Sequence, residues 1–340
     1  MNIKNQKSLL LFLIFSVFIF FSCGKKEAPK ENKKEEGKEL KVWKIPNVDN
    51  GAEFYFSPDG QYMIGNAKLE GDSVHHVYII SIDGSYIKKI NDKGEDACSY
   101  YFPDGKKIIW TSTRDNLDLP RGIWSDPRNY PTGAELYTSD LEGGNVVRLT
   151  HNKYYDAEVS VSPDGKKILF TREIDGKCDL WVMDVDGKNE HQVTFTDEWQ
   201  EGGSFYLNDS KTIIYRAWQR KDEGQRGMPM TIFTIKDDGT DMKQITHDPG
   251  TNWAPFPAPD NDHFTYVRVL KPFNFEIYIM SLKTGEKTRI TYNKAFDGFP
   301  VISSDGKLLA FSSNRDKPKG VRELAPYLMD ISSLGIGPKN

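Results

Sequence analysis

Apolar residues along this chain come in short runs set off by turn signals, and long stretches with a helical period are scarce. Runs such as KKIIW (Lys106–Trp110), KKILF (Lys166–Phe170), KTIIY (Lys211–Tyr215) and KLLAF (Lys307–Phe311) have the length and composition of buried β-strands. Each follows a tight-turn signal: FSPDG from Phe56, FPDG from Phe102, SPDG from Ser162, LNDS from Leu207, APDN from Ala258 and SSDG from Ser303. In the SPDG form, Pro presets φ, Asp bonds its own backbone and Gly accepts a left-handed φ, so the device is a hairpin turn. The turn aspartates are Asp59, Asp104, Asp164, Asp209, Asp260 and Asp305, spaced by 45, 60, 45, 51 and 45 residues.

Two further landmarks recur with the same period. One is an apolar run ending in a polar turn, as in VYIISIDG from Val77, LWVMDVDG from Leu180 and IYIMSLKTG from Ile277. The other is a dipeptide of the Leu-Thr type, as in Arg148-Leu149-Thr150, Gln192-Val193-Thr194 and Arg289-Ile290-Thr291. A unit of four strands, A to D, repeated six times at about this period, predicts an all-β six-bladed β-propeller. The last unit runs out after Asp330 without its fourth strand, while Lys44-Ile45-Pro46 stands where Arg148-Leu149-Thr150 stands in its own unit. Leu40 to Ile45 is therefore expected to supply strand D of the last blade, closing the ring and hiding both sheet edges. The propeller is expected over residues 40–333, with 334–340 as a tail.

The N-terminus reads as an address. Lys4 and Lys7 precede an uninterrupted apolar run from Ser8 to Phe21, short for a membrane span and suited to a signal peptide over residues 1–22. It ends at Phe20-Phe21-Ser22-Cys23-Gly24, which resembles the lipobox of bacterial lipoproteins, with Cys23 as the lipidated residue; ordinary secretion is the alternative. Residues 23–39 have the composition of a flexible tether. These features imply a lipid-anchored protein of the bacterial cell envelope, periplasmic or on the outer membrane. A formal net charge of −4, without a basic stripe, argues against nucleic acid as a partner. Cys98 and Cys178 occupy different places in the repeat, so no disulfide is expected.

Six tandem units of this form resemble the WD40-like repeats of TolB-type propellers, across the whole chain beyond the tether. TolB carries an α/β domain ahead of its propeller, for which there is no room between this tether and the first repeat. What the resemblance implies is non-enzymatic binding of an envelope partner, such as the Pal-like peptidoglycan-associated lipoprotein or another Tol-type component. The same repeat occurs in oligogalacturonate lyases, so a carbohydrate-active propeller that binds or cleaves an oligosaccharide or cell-wall glycan is the alternative.

The repetitive hairpin turns share one face of such a fold, which leaves the D–A and B–C connections on the other as the place for a site. Two B–C loops are long. Asp115–Gly133 carries Arg121, Trp124, Arg128 and Tyr130 among three prolines, and Gln219–Met230 is the other. At a comparable position eight residues before the turn aspartate stand Asp96, Asp156, Glu201, Asn252 and Asp297, expected as a polar ring at the channel mouth, with Trp199 and Trp253 above it. Such a ring suits a cation with oxygen ligands, Ca²⁺ at Asp156 and Asp297 being the candidate, or simply water. Replacing Asp156 and Asp297 by Ala is expected to weaken binding and spare the fold. Glu158 lies two residues beyond Asp156, recurs only as Glu53, and completes the candidate binding set. No catalytic residue is assigned: the six histidines fall into no metal-protease or triad pattern, and no phosphate loop opens a helix.

Overall fold

The computed structural model describes residues 39–271 and 274–339. The signal peptide, Cys23 and all but the last residue of the tether lie outside the described residues. Within them, six four-stranded antiparallel sheets form a ring of blades. The innermost strands are Gly51–Phe56, Asp96–Tyr101, Tyr155–Val161, Trp199–Tyr206, Asn252–Pro257 and Asp297–Ile302. The sixth blade takes its outer strand from the N-terminal end: Val42–Lys44 pairs with Ala325–Asp330, Trp43 opposite Leu328. That closure hides the two edges that an open ring would expose. Among the described residues no helix is long and apolar enough to cross a membrane.

Each recurring sequence feature has a bond to match it. The threonine of the Leu-Thr dipeptide accepts a strand C N–H through its hydroxyl, from Leu136 to Thr150 at 3.0 Å and from Leu180 to Thr194, Ile232 to Thr246 and Ile277 to Thr291 at 2.9 Å. The Arg or Gln two residues earlier donates to the same threonine's carbonyl, as Arg148 Nε does at 2.8 Å and Gln244 Nε2 at 2.8 Å. Strand D is short, and these bonds hold it where its own ladder is only two or three residues long.

The blades pack face to face through strand B aromatics: Trp110, Phe170, Tyr215, Tyr266 and Phe311 are buried. Blade one has Gly65 at that position, and Phe54 of the preceding strand fills the space so tightly that any side chain at Gly65 would collide with its ring. Cys98 and Cys178 are free thiols.

Candidate ligand cavity at the channel mouth

Regular strands point their side chains at the two faces of their own blade, against its neighbours, and not at the channel. Every innermost strand here breaks that rule once. The register slips between Ala52 and Tyr55, Ala97 and Ser99, Ala157 and Ser160, Gly202 and Phe205, Trp253 and Phe256, and Gly298 and Val301. The residue six before each turn aspartate sits in the bulge with φ between 43° and 55°: Glu53, Cys98, Glu158, Gly203, Ala254 and Phe299. A bulge bends its strand and re-aims the extra residue, and all six line one cavity of about 820 Å³. Two residues further on, Tyr55, Tyr100, Phe205 and Phe256 meet with ring centroids 4.9–6.1 Å apart. This aromatic layer forms the cavity floor and separates it from a pocket of about 270 Å³ on the hairpin-turn face.

The walls come from the connections. Trp124 and Tyr130 of the blade-two insertion, Met228 and Met230 of the blade-four insertion, and Trp253 all line the cavity. Tyr130 stacks on Tyr155 at 4.1 Å, and Trp253 meets Phe299 edge-on at 4.7 Å. The ionic groups sit low. Glu158 pairs with Arg216 of the next blade, accepts the Gly203 N–H at 2.7 Å and the Thr171 hydroxyl at 2.9 Å. The Arg216 guanidinium lies over Trp218, 4.8 Å from the ring centre. Among the described residues Glu53 accepts two long contacts, from Asn66 Nδ2 at 3.4 Å and the Cys98 thiol at 3.7 Å. Burial, reinforced by the charge of Glu158, pushes the Glu53 carboxyl up to about 7.

The ring expected eight residues before the turn aspartate falls elsewhere. Of it, Asp96 touches the cavity, while accepting the Val77 N–H at 3.1 Å and the Asn91 amide at 2.7 Å. Asp156 is fully buried in its own blade, held by Arg172 Nε at 2.6 Å and Nη2 at 2.9 Å and by Asn152 at 2.8 Å. Asp297 repeats the clasp with Arg315 at 2.9 Å and Asn293 at 2.9 Å, and Arg315 continues to Glu39. Glu201 is bonded by Thr196, and Asn252 donates to the Met230 and Asp248 carbonyls at 3.1 Å. These groups tie the D–A connection to its blade. A calcium ion at Asp156 or Asp297 would have to displace a guanidinium, and no group of three or more His, Cys, Asp or Glu is placed to hold a metal among the described residues.

Trp199 packs half-buried on Phe233 outside the cavity. Arg121 and Arg128 are exposed, paired with Glu95 and Asp126. Glu53, Cys98, Tyr155, Arg216 and Trp218 are cavity residues that the sequence pattern did not single out. The signal for the first two was there, as the position six before the turn aspartate.

No family model matches the chain. A TolB homologue of Chlorobium luteolum is 24% identical over 157 residues, 45% of this chain and 32% of that protein. TolB from Acinetobacter baumannii superposes with a TM-score of 0.58 at 19% identity, over 86% of this chain and 67% of its own. The fold is a six-bladed propeller similar to that of TolB. An oligogalacturonate lyase in complex with manganese shares this fold, with a TM-score of 0.56 at 15% identity, over 86% of this chain and 93% of its own. The chain thus spans between about a quarter and a half of the length of the curated relatives it matches, and its likeness to the solved structures is one of fold.

Proposed function

We propose that this TolB-like propeller is a non-enzymatic envelope protein, anchored through Cys23, that receives a protein partner in the channel-mouth cavity. The Pal-like lipoproteins and other Tol-type components are the partner class that the TolB relatives suggest. One observation carries the reading: a cavity of about 820 Å³ walled by aromatic side chains, in which the arginine set among the bulges, Arg216, is tied to a carboxylate. Aromatic walls around a concave site are what a buried anchor residue of a partner needs. The test is capture of partners from solubilised envelope by the wild-type protein and by Trp124→Ala/Trp253→Ala. Loss of the captured protein in a folded double variant supports the reading; undiminished capture overturns it.

A carbohydrate-active propeller is the second reading. The fold likeness to the manganese-bound oligogalacturonate lyase favours it, as do the tyrosine hydroxyls of Tyr55, Tyr130 and Tyr155 around the cavity. Turnover of an oligogalacturonate with manganese, abolished by a chelator, would replace the first reading with this one.

A further inference from the structure

The six bulge residues that line the cavity carry two carboxylates, a thiol, and the uncharged Gly203, Ala254 and Phe299. The guanidinium beside them, Arg216, is bonded to Glu158. Among the described residues Glu53 has no ion pair, Arg216 acting on it only through space, and its contacts are an amide at 3.4 Å and a thiol at 3.7 Å, both too long to satisfy a carboxylate. Tyr130, Tyr155, Trp218 and Trp253 line the cavity with it, and Tyr55 belongs to the aromatic floor.

The sign of the missing ligand charge follows from which polar atoms face the space. Arg216 Nε and Nη1 lack acceptors, yet both are sealed from solvent, so no anion entering the cavity reaches them without a rearrangement. At the bulges the groups left for a ligand are the Glu53 oxygens and the aromatic faces, which attract positive charge, while the basic Lys68, His75 and Arg322 that also line the cavity belong to the B–C connections. The groups acting on Glu53 are Glu158, Cys98 and Arg216, with Lys68, His75, Asp96, Arg322 and Glu323 also lining the cavity.

We propose that Glu53 seats a primary ammonium group, the lysine side chain of a partner, whose methylene stem runs along the aromatic walls. The inference rests on the cavity being the partner site. A lysine suits this place because its stem is apolar and its head is a compact cation with three donors. An ammonium there supplies the charge that Glu53 lacks and offsets the repulsion from Glu158. The carboxyl, pushed up to about 7 by burial, is then held ionised.

The experiment uses the full-length protein and two probes, Nα-acetyl-lysine methylamide and its Nε-acetylated form, followed by tryptophan fluorescence and saturation-transfer NMR. The free amine is expected to bind about tenfold more tightly than the acetylated probe at pH 8, the difference of a desolvated charge pair with aromatic faces. That preference is expected to shrink about tenfold by pH 6, where Glu53 is protonated. Glu53→Gln removes both the preference and its pH dependence. Equal binding of the two probes, or a preference that survives in Glu53→Gln, overturns the proposal. Should Glu53→Gln fail to fold, the two-probe comparison across pH on the wild-type protein decides it alone. Envelope capture separates this from the wider reading. Capture lost in the tryptophan variants but kept in a folded Glu53→Gln overturns the lysine seat only, and capture kept in all of them overturns the cavity site itself.

Discussion

Glu158 of the third blade is bound by two groups of the fourth, the Arg216 guanidinium and the Gly203 N–H, the latter at 2.7 Å. Two neighbouring bulges are thereby locked across a blade boundary, at the edge of the cavity. Neither partner is more than 17% exposed, so removing one leaves an uncompensated buried charge. Glu158→Ala and Arg216→Ala are each expected to cost on the order of 3 kcal/mol in chemical denaturation. The double variant is expected to cost clearly less than the sum, which a double-mutant cycle measures.

Gly202 lies beneath that pair. A Cβ there would collide with Glu158 Oε2 and lie 2.5 Å from Arg216 Nη1. Gly202→Ala is expected to destabilise by about 2 kcal/mol through overpacking, seen as a lowered Tm, whereas a surface substitution such as Lys106→Ala leaves Tm unchanged.

Asp156 also behaves differently from its sequence expectation. Bound by Arg172 and Asn152 inside its blade, it is a structural clasp. Asp156→Ala is expected to lower stability by roughly 3 kcal/mol rather than to spare the fold. A variant as stable as wild type in urea would contradict the clasp.

Glu53 ties stability to pH. Its carboxyl is raised from 4.5 to about 7 on folding, so between those values the folded protein binds more protons than the unfolded one. Stability is then greatest below the lower value and falls as pH rises through about 7, by on the order of 3 kcal/mol for this group. Glu201 and Glu276, also near 7, act in the same direction. Glu53→Gln is expected to flatten part of the slope of unfolding free energy against pH between 5 and 7, while a slope unchanged in the variant contradicts the assignment.

The closing strand is short, yet it caps a sheet edge and is reached by the Arg315–Glu39 pair. Deleting residues 40–46 is expected to abolish cooperative thermal unfolding, monitored by circular dichroism. An unchanged Tm would refute closure by this strand.

Sequence alone determined the architecture, because its signals are local. Each SPDG-type turn sets its own backbone dihedrals, and each apolar run between turns has one low-energy use, as a buried strand. Six copies out of step at the two ends then required Val42–Lys44 to complete the last blade. The insertion aromatics Trp124 and Tyr130 were legible for a similar reason, since a long loop on the variable face is displayed there.

Which polar residue faces the channel was decided by tertiary structure. Side-chain direction along a strand depends on register, and register belongs to a pair of strands, not to one. The slip between Ala157 and Ser160 turns Glu158 into the channel and leaves Asp156 opposite Arg172 within the blade. Glu53 and Cys98 enter the cavity through the same slip in their own strands, and Arg216 meets Glu158 only because two blades, 58 residues apart at that contact, are packed side by side.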